Sequence, residues 1–371
     1  MTTVRSGRPS RDLPSKEFEA RSKRLCASLA GDRLDAVLIV TEINRYYFTG
    51  LHASNGLLLA QRQQPPVFYT DFRYLTMVRR CLTFMDAAKL WRPTDEQAVL
   101  SEVGKTWRRV GYEGQMDAAR FNSLKAALPG VEWVDVDKRL AALRSVKSLN
   151  EQRLMRAAVA ANDRLFSEVL KQISPGTSEW DVRNAVRSWA DRLGQGEAFD
   201  TIACVGRNAA ECHHHPDETV LKKGQSLLMD LGVKVDHYCS DMTRSVFFGS
   251  PTPAYRAIRT LVLEANRKAI RAIRPGRRCD EIDALARRHI EKAGYGTCFG
   301  HGLGHSLGLE IHESPSFSPS CKTELKPGMI LTVEPGIYLP GRLGIRIEDV
   351  ILVTPDGCEV LSKTPREPVV A

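Results

Sequence analysis

The chain has 371 residues, 43% hydrophobic and 26% charged, which excludes a disordered or collagen-like polymer and leaves room for two domains with sizeable cores. No run approaches the roughly 20 consecutive apolar residues of a membrane span, so a soluble protein without a membrane partner is expected. The excess of 53 basic over 44 acidic residues falls on stretches such as RAIRPGRR, where charge alternates with apolar positions, and reads as solvated helix faces with no nucleic-acid partner.

The first segment, MTTVRSGRPSRDLPSKEFEARSKR, is basic but lacks the apolar region of a secretory signal; it is expected to be a frayed leader entering a surface helix. EFEARSKRLCASLA reads as that helix, LDAVLIV as a buried strand, and GLLLAQ and PVFYT as further strands, together an α/β domain. From WVDVDK to LKQI the pattern becomes a long amphipathic helix with a hinge at Ser145–Ser148. The domains are therefore placed at residues 1–145 and 146–371. Beyond the hinge, a helical stretch (150–195) precedes strands in FDTIACVG, QSLLMDLGVKV and YCSDMTRSVFFG. A second helical stretch (254–293) precedes strands around MILTVEPGIYL and GIRIEDVILVT. Helices followed by antiparallel strands, twice over, give an α+β domain with an internal pseudo-repeat. Nine scattered cysteines with no CxxC pair point to free thiols in a reducing cytoplasm.

Four acids interrupt apolar strands: Asp230 in SLLMDLG, Asp241 in YCSDMTRSVFF, Glu334 in MILTVEPG and Glu348 in GIRIEDVILV. A carboxylate on a buried strand needs a cation, a metal or dense hydrogen bonding. For one acid alone, pairing with Arg244 or Arg346 suffices; four together demand more. Asp230 and Asp241 flank the turn-prone GVKVDHY, and Glu334 and Glu348 flank PGIYLPGRLG, so two hairpins each present a pair of acids. Two divalent cations neutralise four carboxylates, and one neutral imidazole completes an N/O donor set suited to Mn²⁺, Co²⁺, Fe²⁺ or Zn²⁺. Such a pair of ions performs hydrolysis. Three histidines, His301, His305 and His312, compete for the imidazole place in HGLGHSLGLEIHE. His301 and His305 have helical HxxxH spacing, but the glycines between them disfavour a helix and the zincin glutamate is missing.

The ordered motifs FDTIACVGRNAAECHHHPDE, MDLGVKVDHYCSDMTRSVFFG, GHGLGHSLGLEIHESP, LKPGMILTVEPGIYLPG and GIRIEDVILVTPDG resemble those of the pita-bread-fold Xaa-Pro peptidases, aminopeptidase P and prolidase. LDAVLIVTEINRYYFTGLHASNG resembles their creatinase-like N-terminal domain. The resemblance implies a dinuclear metallopeptidase that cleaves between an N-terminal residue and proline. It implies Asp230, Asp241, His305, Glu334 and Glu348 as metal ligands, with Asp241 and Glu348 bridging. Mn²⁺ is the first expectation for the ions, with Co²⁺ or Zn²⁺ also suited.

Glu334, able to touch both a metal and the attacking water, is the candidate proton acceptor and donor, and the resemblance further implies His301 and His312 as substrate-pocket histidines. His213 corresponds to a further pocket histidine, with the neighbouring His214 as an alternative, and Arg346 supports the acids. A homodimer is implied as well. Rival readings are a dipeptidase, a metal-free creatinase-like hydrolase, a methionine aminopeptidase and a non-enzymatic binding protein on the same scaffold. The last three fit less well, because all five ligand positions are filled and an N-terminal domain is present. A dipeptidase would need a cation for the proline carboxylate, and ESPSFSPSCKTE offers only Lys322, which tilts the expectation toward an aminopeptidase.

Overall fold

The computed structural model describes residues 13–31, 33–62, 64–90, 93–367 and 369–370; the expected leader, residues 1–12, lies outside them. The chain divides into two compact units, Met1–Leu143 and Arg144–Ala371.

The first unit is built on a six-stranded mixed sheet whose central strand, Ala36–Ile39, is buried at every position, as the uninterrupted AVLI run requires. That strand pairs antiparallel with Leu57–Gln61 and parallel with Arg109–Tyr112, so the sheet mixes both strand directions and its parallel neighbours are reached by crossover connections. Asp71 and Asp117 open two of the connecting helices by accepting hydrogen bonds from the backbone N–H of Arg73 and Arg120. The segment expected to begin a long helix starts instead with an edge strand, Glu132–Asp135, paired in parallel with Arg109–Tyr112. Pairing with a distant strand overrides local periodicity, and the helix begins only at Asp137. It ends at Ser145, and Leu149–Leu170 starts afresh behind a capping box of Ser148 and Glu151.

The second unit repeats one plan. Helices Leu149–Leu170 and Glu179–Leu193 precede a sheet containing Ile202–Val205, Ser226–Leu231 and Met242–Phe248, all antiparallel. Helices Pro253–Ala272 and Cys279–Lys292 precede a five-stranded sheet with Ile330–Val333 and Asp349–Val353 at its centre. Each helix pair covers its own apolar cluster: Phe166, Val182 and Met229 belong to one, Ile258, Ile282 and Leu331 to the other. Both expected reversals are hairpins. Lys234–Val235 pairs with Tyr238–Cys239 across Asp236 and His237, whose φ of 44° and 71° make a left-handed turn. Gly336–Leu339 pairs with Leu343–Arg346.

Arg244 lies between the two sheets, fully buried, with Nη2 2.9 Å from Asp349 and further bonds to the carbonyls of Thr243, Pro365 and Thr364. Arg244→Met should destabilise the fold by about 3–5 kcal/mol, because it strands a buried carboxylate whose remaining cation is Arg366. Denaturant unfolding measures this; a loss below about 1 kcal/mol would put the pair among weak surface ion pairs.

Candidate metal centre

Strand register brings the four acids together. Asp230 is the penultimate residue of the strand Ser226–Leu231, and its register partner is Thr243, two residues after Asp241. Val333 pairs with Asp349, so Glu334 and Glu348 stand one step beyond, where the strands leave the sheet for the hairpin. The Glu348 N–H donates to Thr243 O at 3.2 Å, which joins the two sheets at the acids. His305 lies on the short strand Gly304–Ser306, and its N–H donates to Thr332 Oγ1 at 3.0 Å. A Cβ at Gly304 would meet Thr332 O at 2.1 Å, so only glycine lets the His305 strand approach this closely.

His305 Nδ1 donates to Ser306 O at 3.1 Å, which leaves Nε2 free as a lone-pair donor, 3.3 Å from Glu334 Oε1 and 3.5 Å from Asp241 Oδ2. Asp241, His305 and Glu348 offer ligand atoms that all lie within 4.8 Å of one another. Burial, reinforced by Glu348, Asp230 and Glu334, pushes the Asp241 carboxyl well above its usual range. Burial and then Glu334 and Asp230 do the same to Glu348. Burial pushes Glu334 up to about 8, with Arg346 opposing and Asp230 adding.

Arg346 is the sole cationic Arg or Lys bordering the site among the described residues, and its Nη2 donates to Asp230 Oδ2 at 2.6 Å. The simple ion-pair reading thus holds for one oxygen of one acid. Asp230 Oδ1 and Glu348 Oε1 are buried without a hydrogen-bond partner among the described residues. Orphaned, mutually repelling carboxylate oxygens beside a free imidazole nitrogen fit a pair of divalent cations with N/O ligation.

Behind the acids runs a chain of hydrogen bonds. Arg346 Nε donates to Thr243 Oγ1 at 2.9 Å, and Thr243 donates to Glu348 Oε2 at 2.7 Å. Arg346 Nη1 donates to Tyr338 OH at 2.8 Å. His301 Nδ1 donates to Gly302 O at 2.8 Å, so its Nε2 accepts from Tyr338 OH at 2.9 Å. Burial, with Arg346 nearby, lowers the His301 pKa to about 4 and keeps the ring neutral.

A cavity of about 550 Å³ opens over the acids, walled by Phe199, Ile202, Ile311, Ser316 and Ser318 as well as the polar groups. His213, His301, His312, Asp230, Asp241, His305, Glu334 and Arg346 all border it; Glu348 lies within ligand distance of Asp241 and His305. The rings of His305 and His312 stand edge to face, 4.4 Å between centroids. His214 is drawn toward the buried Glu179, with Nε2 to Oε2 at 2.8 Å, whereas His213 has no hydrogen-bond partner among the described residues. Lys322 is held by Asp280 at 2.5 Å and does not border the cavity. Sequence reasoning passed over Thr243 and Thr332, which bind Glu348 and Glu334. A signal existed: each is two residues from a candidate acid, so both share a strand face with it. The apolar wall at Phe199 and Ile311 carried no such signal.

Residues 153–355 match metallopeptidase family M24, and residues 21–146 match the creatinase/prolidase N-terminal domain. The Xaa-Pro dipeptidase of Pyrococcus furiosus is 32% identical over 356 residues, covering 94% of this chain and 99% of that protein. Among solved structures, an Xaa-Pro dipeptidase from Bacillus anthracis superposes with a TM-score of 0.90 at 32% identity, covering 95% of this chain and all of the other. An X-Pro aminopeptidase from Thermotoga maritima superposes with a TM-score of 0.85 at 30% identity and equal coverage.

Proposed function

Since the chain belongs to metallopeptidase family M24 and carries a creatinase/prolidase N-terminal domain, we propose that it hydrolyses the bond between an N-terminal residue and proline in peptides. The observation that carries this reading is the cluster of four acids and one free imidazole nitrogen at the floor of the cavity. In the proposal Asp230, Asp241, His305, Glu334 and Glu348 would hold two divalent ions, Mn²⁺ foremost. When bound, such ions supply an activated water and a polarised carbonyl.

The remaining chemistry belongs to side chains. Glu334 takes the proton of the attacking water and returns it to the leaving nitrogen. His312, kept neutral by burial and the neighbouring His305, and His213, whose ring is uncommitted, donate to the developing oxyanion and the leaving nitrogen. His301 has both nitrogens engaged, so its part is to fix Tyr338 and through it Arg346. An amide to proline has no N–H to offer, and the Phe199, Ile202 and Ile311 wall gives its ring an apolar seat.

Arg346 is committed to Asp230 and Lys322 to Asp280, so neither is spare for a proline carboxylate; this favours longer peptides over dipeptides. Strict dipeptidase activity is the second reading, favoured by the relatives from Pyrococcus and Bacillus named as Xaa-Pro dipeptidases. Xaa-Pro-Xaa tripeptides should be cleaved at least as fast as Xaa-Pro dipeptides in the presence of Mn²⁺, Co²⁺ or Zn²⁺. Cleavage of dipeptides alone would overturn the preference, and cleavage of neither would overturn the Xaa-Pro assignment. A homodimer in the cytoplasm completes the proposal, the location supported by nine unpaired cysteines.

A further inference from the structure

Glu313, which closes the HGLGHSLGLEIHE motif, has no part in the ligand set, yet it is among the most heavily bonded acids of the second unit. Its side chain is 4% exposed. Arg144 Nη2 donates to its Oε1 at 2.6 Å and also to Glu310, while Lys147 Nζ donates to its Oε2 at 3.1 Å. Lys147, itself buried, also donates to Ser306 Oγ at 3.0 Å, and Ser306 Oγ donates to Ile330 O at 2.9 Å. The loop folds tightly over this cluster, since a Cβ at Gly308 would meet Glu313 Oε2 at 2.9 Å.

Register gives the cluster its meaning. Ser306 and Glu313 are strand partners, with an irregularity between His305 and Ser306, and Lys147 bonds both. Each partner directly follows a cavity histidine: His305 precedes Ser306, and His312 precedes Glu313. Buried charges of this kind add little net stability, because desolvation offsets their attraction; fixing a register is the better-attested use.

We infer that Arg144, Lys147 and Glu313 form a clamp that closes the 306–313 loop and thereby sets His312 against His305 above the acids. They are positioning residues that act through His312. The inference rests on the hydrolytic reading given above for the role of His312.

The test is a double-mutant cycle. In Mn²⁺-loaded protein acting on an Xaa-Pro-Xaa tripeptide, Glu313→Gln and Lys147→Met should each lower kcat about 10- to 100-fold, the scale of a misplacement near 1 Å, with a smaller change in KM and unchanged metal content. In a His312→Ala background neither substitution should lower kcat further. Full additivity with His312→Ala, or an unchanged kcat in both single variants, overturns the clamp. Lys147→Arg, which keeps the charge, should retain more activity than Lys147→Met; equal loss in the two also overturns it. A second readout is independent of turnover. The His312 imidazole resonance of Zn²⁺-loaded protein, assigned by its absence in His312→Ala, should shift in Glu313→Gln. An unmoved resonance overturns the inference even if the wild type cleaves no Xaa-Pro peptide, an outcome that would separately end the hydrolytic reading.

Discussion

Replacing Glu334 by glutamine should lower kcat by about 10²- to 10⁴-fold, the usual contribution of a positioned acid-base group, without lowering the Tm of the metal-free protein. Burial pushes this carboxyl up to about 8, so at neutral pH without ions it is largely protonated, and the amide of glutamine has nearly its shape and charge. The bond from Thr332 Oγ1, 3.1 Å in the wild type, survives because the amide oxygen still accepts. What is lost is the ability to take a proton and to hold an ion. Metal content separates the two. If two ions remain bound and kcat collapses with KM nearly unchanged, the group moves protons; if one ion is lost, it acts chiefly as a ligand. Wild-type turnover in Glu334→Gln sinks the assignment. Glu334→Asp keeps the carboxylate but withdraws it by one methylene and should fall between.

The acids were legible because the cost of a carboxylate on a buried strand is a local property. Asp230 stands out in SLLMDLG whatever the rest of the chain does, and the turn residues of VDHY and PGRLG announce the hairpins that pair the acids. The choice among three histidines was not local. His305 faces the acids because its Nδ1 is committed to Ser306 O and its N–H to Thr332, a residue 27 positions away in sequence. Glu313 stayed without a role for the same reason, since its partners Arg144 and Lys147 lie 169 and 166 residues earlier. Buried Glu179 is a similar case. It gathers Val205 N–H, Asn208, His214 and Asp217 N–H, 26 to 38 residues off, and so fixes the loop that presents His213. Glu132–Asp135 was misread as helix because its pairing with Arg109–Tyr112, which alone makes it a strand, leaves no mark in its own periodicity.

Removal of the metal ions should make stability strongly pH-dependent, and the sign follows from the acids. A carboxyl whose pKa is higher in the folded than in the unfolded chain binds more protons when folded. Its stabilising contribution is fully present below its unfolded value and is lost as pH rises through the folded one. For Glu334 that window runs from the ordinary 4.5 to about 8, and Asp241 and Glu348, both pushed upward, act in the same sense. His301, His305 and His312 act oppositely, their pKa values lowered from 6.5 by burial, His301 to about 4, but that effect fades as pH rises past 6.5, where the unfolded imidazoles lose their own protons. Between pH 6.5 and 8 the Tm of metal-free protein should therefore fall. His214 adds to the fall: burial opposes its charge, but Glu179, Glu211 and Asp217 together outweigh burial and raise its pKa. Glu334→Gln separates the two, because it should remove Glu334's share of the fall and leave that of His214. Saturating Mn²⁺ should abolish the part due to the acids, since bound cations favour the ionised carboxylates. The loaded protein should gain about 2.7 kcal/mol for each ion bound at a free-ion concentration of 100 times its Kd, roughly 5–10 °C in Tm per ion, with the gap wider at pH 8 than at pH 6.5. A metal-free Tm that rises across this window would mean that the four acids do not repel one another as their burial and spacing require.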